Sequence, residues 1–270
     1  MAKGYTALVA AKLRAAEVLK DNVVFSNAYE GNAVSGAVRI PVRDTEAEVE
    51  DYSKNSGMSP NRTSTSYITM SVDKDKAVNE IIDGFEAAGV PDNILAERLD
   101  SAGYSLAHTV DTDGAAVLLS EGTTDYVTLD EDTVVYDLLV DTRTTLSKIN
   151  VPNDGRRYLL VTPDFYAKLL KDPNFIGASS LGDDIRQTGC IGKVAGFNVY
   201  EWNDPTENLL YVAGHPSYAV RARDFSVPIK VVSLDGDAIY IGASAVKGRL
   251  VYGHKVTKPA AVRCVYAEAV

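Results

Sequence analysis

Apolar residues recur at helical spacing in three stretches of the chain. Residues 5–20 are rich in alanine, and their apolar positions fall near the 3.6-residue repeat of an amphipathic helix. A second pattern starts at Pro91-Asp92, since proline at the first helical position and an acid in the first turn favour a helix start. Its apolar stripe consists of Leu95, Leu99, Ala102, Leu106 and Val110. A third helix is predicted over about 130–149, with the apolar positions Val134, Leu138, Val140 and Leu146.

Two questions about these helices stay open at this point. The second helix continues to Ser120 only if it passes Gly114 unbroken, in which case some 30 residues span roughly 45 Å. The helix at residues 5–20 lies either against its own domain or against a neighbouring molecule.

The segment between residues 37 and 72 predicts a long β-hairpin. Residues 37–42 alternate as a strand, and Pro41 indicates an edge position because proline cannot donate to a ladder. A loop at 55–61 precedes a second strand pattern at 63–72. Hardly any apolar side chain occurs between these strands, and two isolated strands are marginal in water. The hairpin is therefore either a solvated loop or an element that lies on a surface outside its own domain.

The rest of the chain predicts an α+β body without repeats or long linkers. A short strand at 157–161 leads through Thr162-Pro163-Asp164 into a helix that ends near Leu170. Residues 177–190 are rich in glycine and serine and predict a loop. Further strands are predicted at 196–201, 209–213, 217–222, 229–232, 238–241, 249–252 and 262–267.

Composition and charge narrow the function classes. The 270 residues are 46% hydrophobic and 24% charged, which is typical of a globular protein with a large core. No apolar run approaches the ~18 residues of a membrane helix, and the N-terminus lacks a signal-peptide pattern. The net charge of -10 disfavours tight non-specific binding of nucleic acid. Two cysteines, Cys190 and Cys264, suit a reducing cytosol and are too few for a disulfide framework or a zinc site.

No motif in the sequence predicts catalysis, a metal or a cofactor. The stretch 189–196 is glycine-rich, but Val194 follows Lys193 where a phosphate loop needs Ser or Thr, so a β-turn is predicted. The stretch 111–114 fails as a calcium loop because Ser120 falls where a bidentate acid is needed. Neither Gly177 nor Gly242 begins a complete Gly-x-Ser-x-Gly motif. With only three histidines as well, the sequence favours a structural protein over an enzyme.

Acidic residues dominate the predicted hairpin. Glu46, Glu48 and Glu50 recur at period two and share one face of an extended strand, where their carboxylates point in parallel rather than converge on a metal. A charged face, either solvated or in contact with another molecule, is the favoured interpretation.

The order of these elements, together with five local strings, resembles the major capsid proteins of tailed bacteriophages, which have the Hong Kong 97-like fold. The strings span Phe25–Gly31, Val38–Val42, Asp51–Lys54, Asp73–Ala77 and Gly248–Gly253. The resemblance covers nearly the whole chain, and the ordered set carries it rather than any single motif.

The resemblance implies a domain organisation and a contact surface. It implies an N-terminal arm at 1–30, an extended loop with flanking strands at 31–80, a peripheral domain with a long spine helix at 81–183 and 226–270, and an axial domain at 184–225. The extended loop would lie over an adjacent subunit. The hypothesis for its intersubunit contacts names Arg43, Asp44, Glu46, Glu48, Glu50, Asp51, Lys54 and Arg62.

The resemblance also implies the partners. It predicts hexamers and pentamers of this chain in an icosahedral virion shell, which is assembled in the bacterial host cytoplasm and holds double-stranded DNA through weak, non-specific contacts. A separate scaffolding protein and a portal are expected, but no membrane and no cofactor. Assembly is predicted to be noncovalent, because Lys54 is the only lysine of the loop and no asparagine follows Asn208. The alternatives are the shell of an encapsulin-type nanocompartment or, from another class, a small-molecule enzyme with an unrecognised acidic site.

Overall fold

The computed structural model describes residues 18–28, 36–42, 52, 54, 66–85, 94–130, 133–172, 192–236 and 239–268. Its helices are α1 (Ile94–Glu121), α2 (Val135–Lys148) and α3 (Pro163–Lys171). The first strands are β1 (Ala37–Val42), β2 (Ser66–Ser71), β3 (Lys74–Ile82), β4 (Thr123–Val127) and β5 (Tyr158–Val161). The later strands are β6 (Lys193–Val194), β7 (Phe197–Glu201), β8 (Leu209–Gly214), β9 (Ala219–Ser233), β10 (Ser244–Val256) and β11 (Arg263–Ala267).

The long helix α1 packs along a three-stranded antiparallel sheet with the order β3-β10-β9. Asp113 accepts a hydrogen bond from the Tyr252 hydroxyl, and Glu121 accepts one from the Val256 N–H. Later residues of the helix thus meet later residues of β10, so the two elements run in the same direction. Their lengths match as well, since 28 helical residues and 13 strand residues each span roughly 40 Å.

A second sheet has six strands in the order β4-β11-β8-β5-β7-β6. Its central strands β5 and β8 are buried at every position, because both faces of the sheet are covered. Leu159, Val161 and Ala213 pack in a core with α2 and α3. The alternate residues Leu160 and Val212 pack on the other side with the end of α1 and with residues 18–25. Strands β5, β7 and β8 pair directly, so this sheet crosses the domain boundary predicted at residue 184.

The base of the predicted hairpin is a two-stranded antiparallel sheet of β1 and β2, in which Val42 pairs with Ser66. The pair packs onto β9 through Ile40 and Met70, which contact Val220 and Ala222. The strand prediction at 37–42 is confirmed, and the strand predicted at 63–72 is found at 66–71. The hairpin beyond this base lies outside the described residues, apart from Tyr52 and Lys54.

The helix predictions hold in position but not always in detail. The helix predicted at 91–120 is α1, which passes Gly114 unbroken. The third predicted helix is α2, which is shorter than predicted. Its predicted apolar stripe is wrong, because three of the four predicted positions are only partly buried. The buried residues are Val135, Leu139 and Leu146. The buried set is spaced by four and seven residues, which keeps it on one face of a helix. Residues 18–20 at the end of the first predicted helix are not helical, and residues 5–17 lie outside the described ranges.

Two strand predictions need correction. The strands predicted at 217–222 and 229–232 fall in the single strand β9, except that Ser217 and Tyr218 belong to a short 3-10 helix. The strand predicted at 238–241 is wrong for its described residues 239–241, which belong to the turn between β9 and β10. A glycine on each side of that segment permits the turn, and Gly242 has a positive φ of 78°. The loop predicted at 177–190 lies outside the described residues.

Candidate functional site

Most of the hairpin residues that are predicted to make intersubunit contacts are not among those that the structure describes. Arg43, Asp44, Glu46, Glu48, Glu50, Asp51 and Arg62 lie outside the described residues. Lys54 is described and is exposed. The hypothesis for this charged surface therefore stays a prediction.

An exposed apolar surface lies at the end of the three-stranded sheet where β3 and β9 end and β10 begins. We call it the apolar tip and define it by the exposed residues Ile81, Phe85, Val231, Ile239, Tyr240 and Ile241. Phe85 is 89% exposed, Ile239 77% and Ile241 86%. Gly84 lies against the carbonyl of Gly242, where a side chain on residue 84 would overlap the backbone. This close approach brings Phe85 and Ile241 to the same end of the sheet.

The position of the apolar tip distinguishes it from scattered surface apolar residues. Single exposed apolar side chains are normal, whereas several large ones at one end of a sheet favour an interaction surface. Strand β10 leads away from the tip for roughly 40 Å before the chain enters the six-stranded sheet. The tip therefore lies at the end of β10 away from the six-stranded sheet.

A second site joins the start of the described chain to α1 and β9. We call residues 18–28 the anchor segment. The buried carboxylate of Asp111 accepts hydrogen bonds from the N–H groups of Val18 and Leu19, at 2.6 and 3.3 Å. At the other end, the Ser26 N–H donates to Ala219, and the Ser26 carbonyl accepts from the Arg221 N–H. Leu19 and Phe25 are fully buried in the core between α1 and the six-stranded sheet.

Arg221 lies at the centre of this second site and is only 1% exposed. Its guanidinium donates from Nε to Nε2 of His254 at 2.8 Å and from an Nη atom to Asp21 at 3.3 Å. It also lies 3.7 Å from the Asp111 carboxylate and covers the Phe25 ring at 4.6 Å. Arg221 thus bridges the anchor segment, α1 and β10 through one buried side chain.

The electrostatics of this cluster favour a neutral histidine. Burial lowers the pKa of His254 to about 2, assisted by the positive charges of Arg221, Arg223 and Lys74. Neutral His254 has a free lone pair on Nε2, which accepts the Arg221 hydrogen bond. Burial raises the pKa of the Asp111 carboxyl, while the backbone N–H of Val18 and the charge of Arg221 oppose that shift.

In the part of the chain that the structure describes, the remaining polar groups do not form a catalytic constellation. His108 stacks on Tyr104 on the outer face of α1, and His215 contacts Asp154 at 3.0 Å. Cys264 is a buried free thiol, and burial raises its pKa to about 12. Among the residues that the structure describes, no group of three or more His, Cys, Asp or Glu side chains could hold a metal ion. No helix in the described part of the chain is long and apolar enough to cross a membrane.

Sequence reasoning missed both sites. The apolar tip has a signal, because Ile239-Tyr240-Ile241 is an apolar run between Gly236 and Gly242, but such a run also predicts a strand. The anchor cluster had no comparable signal, since its charged members are far apart in sequence. The segment 111–114 was correctly placed on a helix, where Asp111 accepts hydrogen bonds from the anchor segment.

Comparisons with known proteins point to one family. The phage capsid protein family matches residues 81–265, more than half of the chain. Among solved structures, one of Mycobacterium phage Che8 is 23% identical with a TM-score of 0.69, over 89% of this chain and 88% of that chain. The capsid of cyanophage P-SCSP1u is 15% identical with a TM-score of 0.72, over 91% and 86%. The capsid of a native GTA particle is 13% identical with a TM-score of 0.63, over 87% and 86%. The comparison with curated proteins gave no match.

The chain belongs to the phage capsid protein family. Its mixed α/β fold resembles the solved capsid structures across most of its length. It is a major capsid protein of a tailed phage, a structural protein rather than an enzyme. Copies of it form the shell of the virion.

Proposed function

We propose that this protein has the Hong Kong 97-like fold and assembles as hexamers and pentamers into an icosahedral shell around double-stranded DNA. The match of residues 81–265 to the phage capsid protein family carries the proposal. The likeness to three solved structures over 86% to 88% of their own chains supports it, since it spans the whole subunit rather than one motif.

In this proposal, each of the two larger sheets belongs to a different domain of the subunit. The helix α1 is the spine helix, and with the β3-β10-β9 sheet it forms the peripheral domain. The six-stranded sheet with α2 and α3 forms the axial domain. This division replaces the boundaries predicted at 81–183, 184–225 and 226–270, because it keeps every hydrogen-bonded strand pair within one domain. Residues 1–30 remain the proposed N-terminal arm, and the β1–β2 pair is the base of the proposed extended loop.

Two surfaces of the subunit make the contacts between copies. The acidic face of the hairpin, with Glu46, Glu48 and Glu50, pairs with lysine or arginine of an adjacent subunit. The apolar tip packs against a second copy of this chain. A second copy fits because the exposed charges beside the tip, Asp83, Lys230 and Asp235, have both signs and do not suit nucleic acid.

Other partners follow from the same function. A separate scaffolding protein and a portal take part in assembly in the host cytoplasm. Packaged DNA contacts the shell weakly, because a chain with a net charge of -10 does not trap polyphosphate. Assembly is noncovalent, so mature particles run as single subunits rather than as high-mass ladders on a denaturing gel.

Negative-stain electron microscopy of the chain expressed with the adjacent reading frames tests the proposed function. The expected result is closed shells for the wild type and loss of shells for the triple charge reversal E46K/E48K/E50K. Wild-type protein that remains monomeric in this co-expression would contradict the proposal. Shells that form equally well from the reversed variant would remove only the acidic contact surface.

A further inference from the structure

We propose that Arg221 is a positioning residue that holds the anchor segment against α1, so that the chain before Val18 departs from a fixed point on the subunit. Its effect on assembly rests on the proposed function, in which residues 1–30 form an arm that reaches neighbouring subunits. The contacts by which Arg221 fixes the anchor segment lie within one subunit and do not depend on assembly.

The first support is that three distant parts of the chain meet at one side chain. The guanidinium of Arg221 on β9 contacts Asp21 in the anchor segment, Asp111 on α1 and His254 on β10. The Asp111 carboxylate simultaneously accepts the N–H groups of Val18 and Leu19. Arg221 therefore fixes both the side chain and, through Asp111, the backbone at the start of the anchor segment.

The second support is that the two acidic partners of Arg221 differ in how deeply they are buried. Asp111 is buried, whereas Asp21 is partly exposed and is shared with Arg223 at 3.5 Å. Removing Asp21 leaves the Arg221–Asp111 pair in place. The outer contact can thus be removed without leaving an uncompensated charge in the core, which would be strongly destabilising.

The third support is the reach of the chain before the anchor segment. Seventeen residues precede Val18 in the sequence, and they span roughly 25 Å as a helix or up to about 60 Å when extended. A small change in the direction of the chain at Val18 would therefore move the start of the chain by a distance that grows with that length. A fixed anchor segment is therefore needed for the arm to meet the same surface on every neighbour.

Limited trypsin digestion of the unassembled full-length chain tests the positioning role, because Lys20 is an exposed cleavage site within the anchor segment. Cleavage within an ordered segment requires local opening, so its rate reports how firmly the segment is held. We expect Arg221→Gln to accelerate cleavage after Lys20 by at least tenfold and cleavage at other sites by less, because this variant also leaves the buried Asp111 carboxylate without its arginine. Asp21→Asn should give a smaller acceleration in the same place, once each rate is divided by that of the same bond in a short peptide of matching sequence, because Asp21 directly follows the cleaved bond and its negative charge slows trypsin.

Arg249→Gln is the matched control, since Arg249 lies on an exposed strand face and pairs with Asp75 away from the anchor segment. This variant should be cleaved at the wild-type rate. Unchanged cleavage after Lys20 in both Arg221→Gln and Asp21→Asn would overturn the proposal. Equal acceleration at all sites in both variants would also overturn it, because Arg221 would then stabilise the whole fold rather than position one segment.

The assembly consequence has its own readout. If Asp21→Asn accelerates cleavage after Lys20, this variant should also form fewer closed shells, or shells of mixed size. The comparison is made under conditions in which Arg249→Gln assembles normally. Normal shells from such a variant would contradict the link to assembly. Failure of the wild type to assemble would instead argue against the proposed function, whereas the digestion result would still stand.

Discussion

At the scale of single residues, the buried histidine of the anchor cluster makes the fold sensitive to acid. His254 accepts a hydrogen bond from Arg221 and is surrounded by the positive charges of Arg221, Arg223 and Lys74, while Asp111 and Asp21 lie across the guanidinium. A proton on His254 would remove the acceptor and add a fourth positive charge to those of Arg221, Arg223 and Lys74. The folded protein therefore keeps this histidine neutral far below its ordinary pKa.

We predict that His254→Gln reduces the loss of stability in acid. In the unfolded chain the histidine binds a proton below about pH 6.5, whereas in the folded state its pKa is about 2. Between these values the unfolded state holds more protons, so the contribution of His254 is complete above pH 6.5 and falls by up to about 1.4 kcal/mol per pH unit below it. The glutamine oxygen still accepts from Arg221 but does not titrate.

Urea unfolding at pH 7.5, 6.5, 5.5 and 4.5 provides the measurement. The free energy of unfolding of the variant should lie below that of the wild type at pH 7.5, because the ring packing against Phe25 is lost. The two values should converge as the pH falls to 4.5. A difference that stays constant over this range would show that His254 does not contribute to the acid sensitivity.

At the scale of elements, the position of the β1–β2 pair depends on a close backbone approach. Gly253 on β10 lies directly against the backbone of Ser71 and Val72, where a Cβ atom would overlap the carbonyl of Ser71. Backbone atoms cannot rotate away as a side chain can. The approach therefore fixes where the proposed extended loop leaves the sheet.

We predict that Gly253→Ala separates the β1–β2 pair from β10 and destabilises the protein by about 1–3 kcal/mol, as overpacking in a well-packed region does. Gly236→Ala is the control, because no atom lies within 4 Å of its added methyl group. Thermal unfolding measures the stability, and hydrogen exchange of residues 66–71 measures the separation. Equal stability of the two variants, with unchanged exchange, would show that β10 adapts to the methyl group.

The elements also show which signals in the sequence were sufficient. Helix α1 was predictable because its apolar stripe is regular and the space beside Gly114, where a break was conceivable, is occupied by Phe25 and His254. Strand β3 was not predicted, because its sequence Lys74–Ile82 is mostly charged and polar and Ile82 is its only buried residue. Strand β4 was missed for a related reason, since it is a short edge strand with no buried position.

The candidate sites were less predictable than the elements. A buried arginine such as Arg221 cannot be recognised from sequence, because its partners Asp21, Asp111 and His254 are brought together only by the tertiary fold. The acidic row of the hairpin was visible in the sequence, but the surface that it meets belongs to another molecule. The apolar tip depends on two separate turns meeting, and the glycines that permit this, Gly84 and Gly242, lie far apart in the chain.

At the scale of the whole molecule, the two ends of β10 are chemically different. One end holds the six-stranded sheet, whose faces are both covered within the subunit. The other end exposes the apolar tip, roughly 40 Å away along β10. A shell protein gains association energy from such a tip only when copies meet there, because each full burial of a large apolar side chain contributes about 1.5–3 kcal/mol.

We predict that the triple variant F85S/I239S/I241S folds normally but does not assemble efficiently. These side chains are exposed in the isolated subunit, so their loss should change the unfolding temperature little. In the shell, their loss should weaken each contact by several kcal/mol and raise the concentration needed for assembly by at least about 100-fold. Sedimentation of assembly reactions over a range of subunit concentrations measures this threshold.

Tyr104→Ser is the matched control for the apolar tip. Tyr104 is a large exposed residue on the outer face of α1, so its removal changes surface hydrophobicity without touching the tip. If both variants raise the threshold equally, general surface hydrophobicity drives association rather than the tip. A wild-type threshold for the triple variant would mean that the tip stays exposed in the shell. A selective increase would instead place the contact between copies at the distal end of the β3-β10-β9 sheet, where the sequence suggested only a strand.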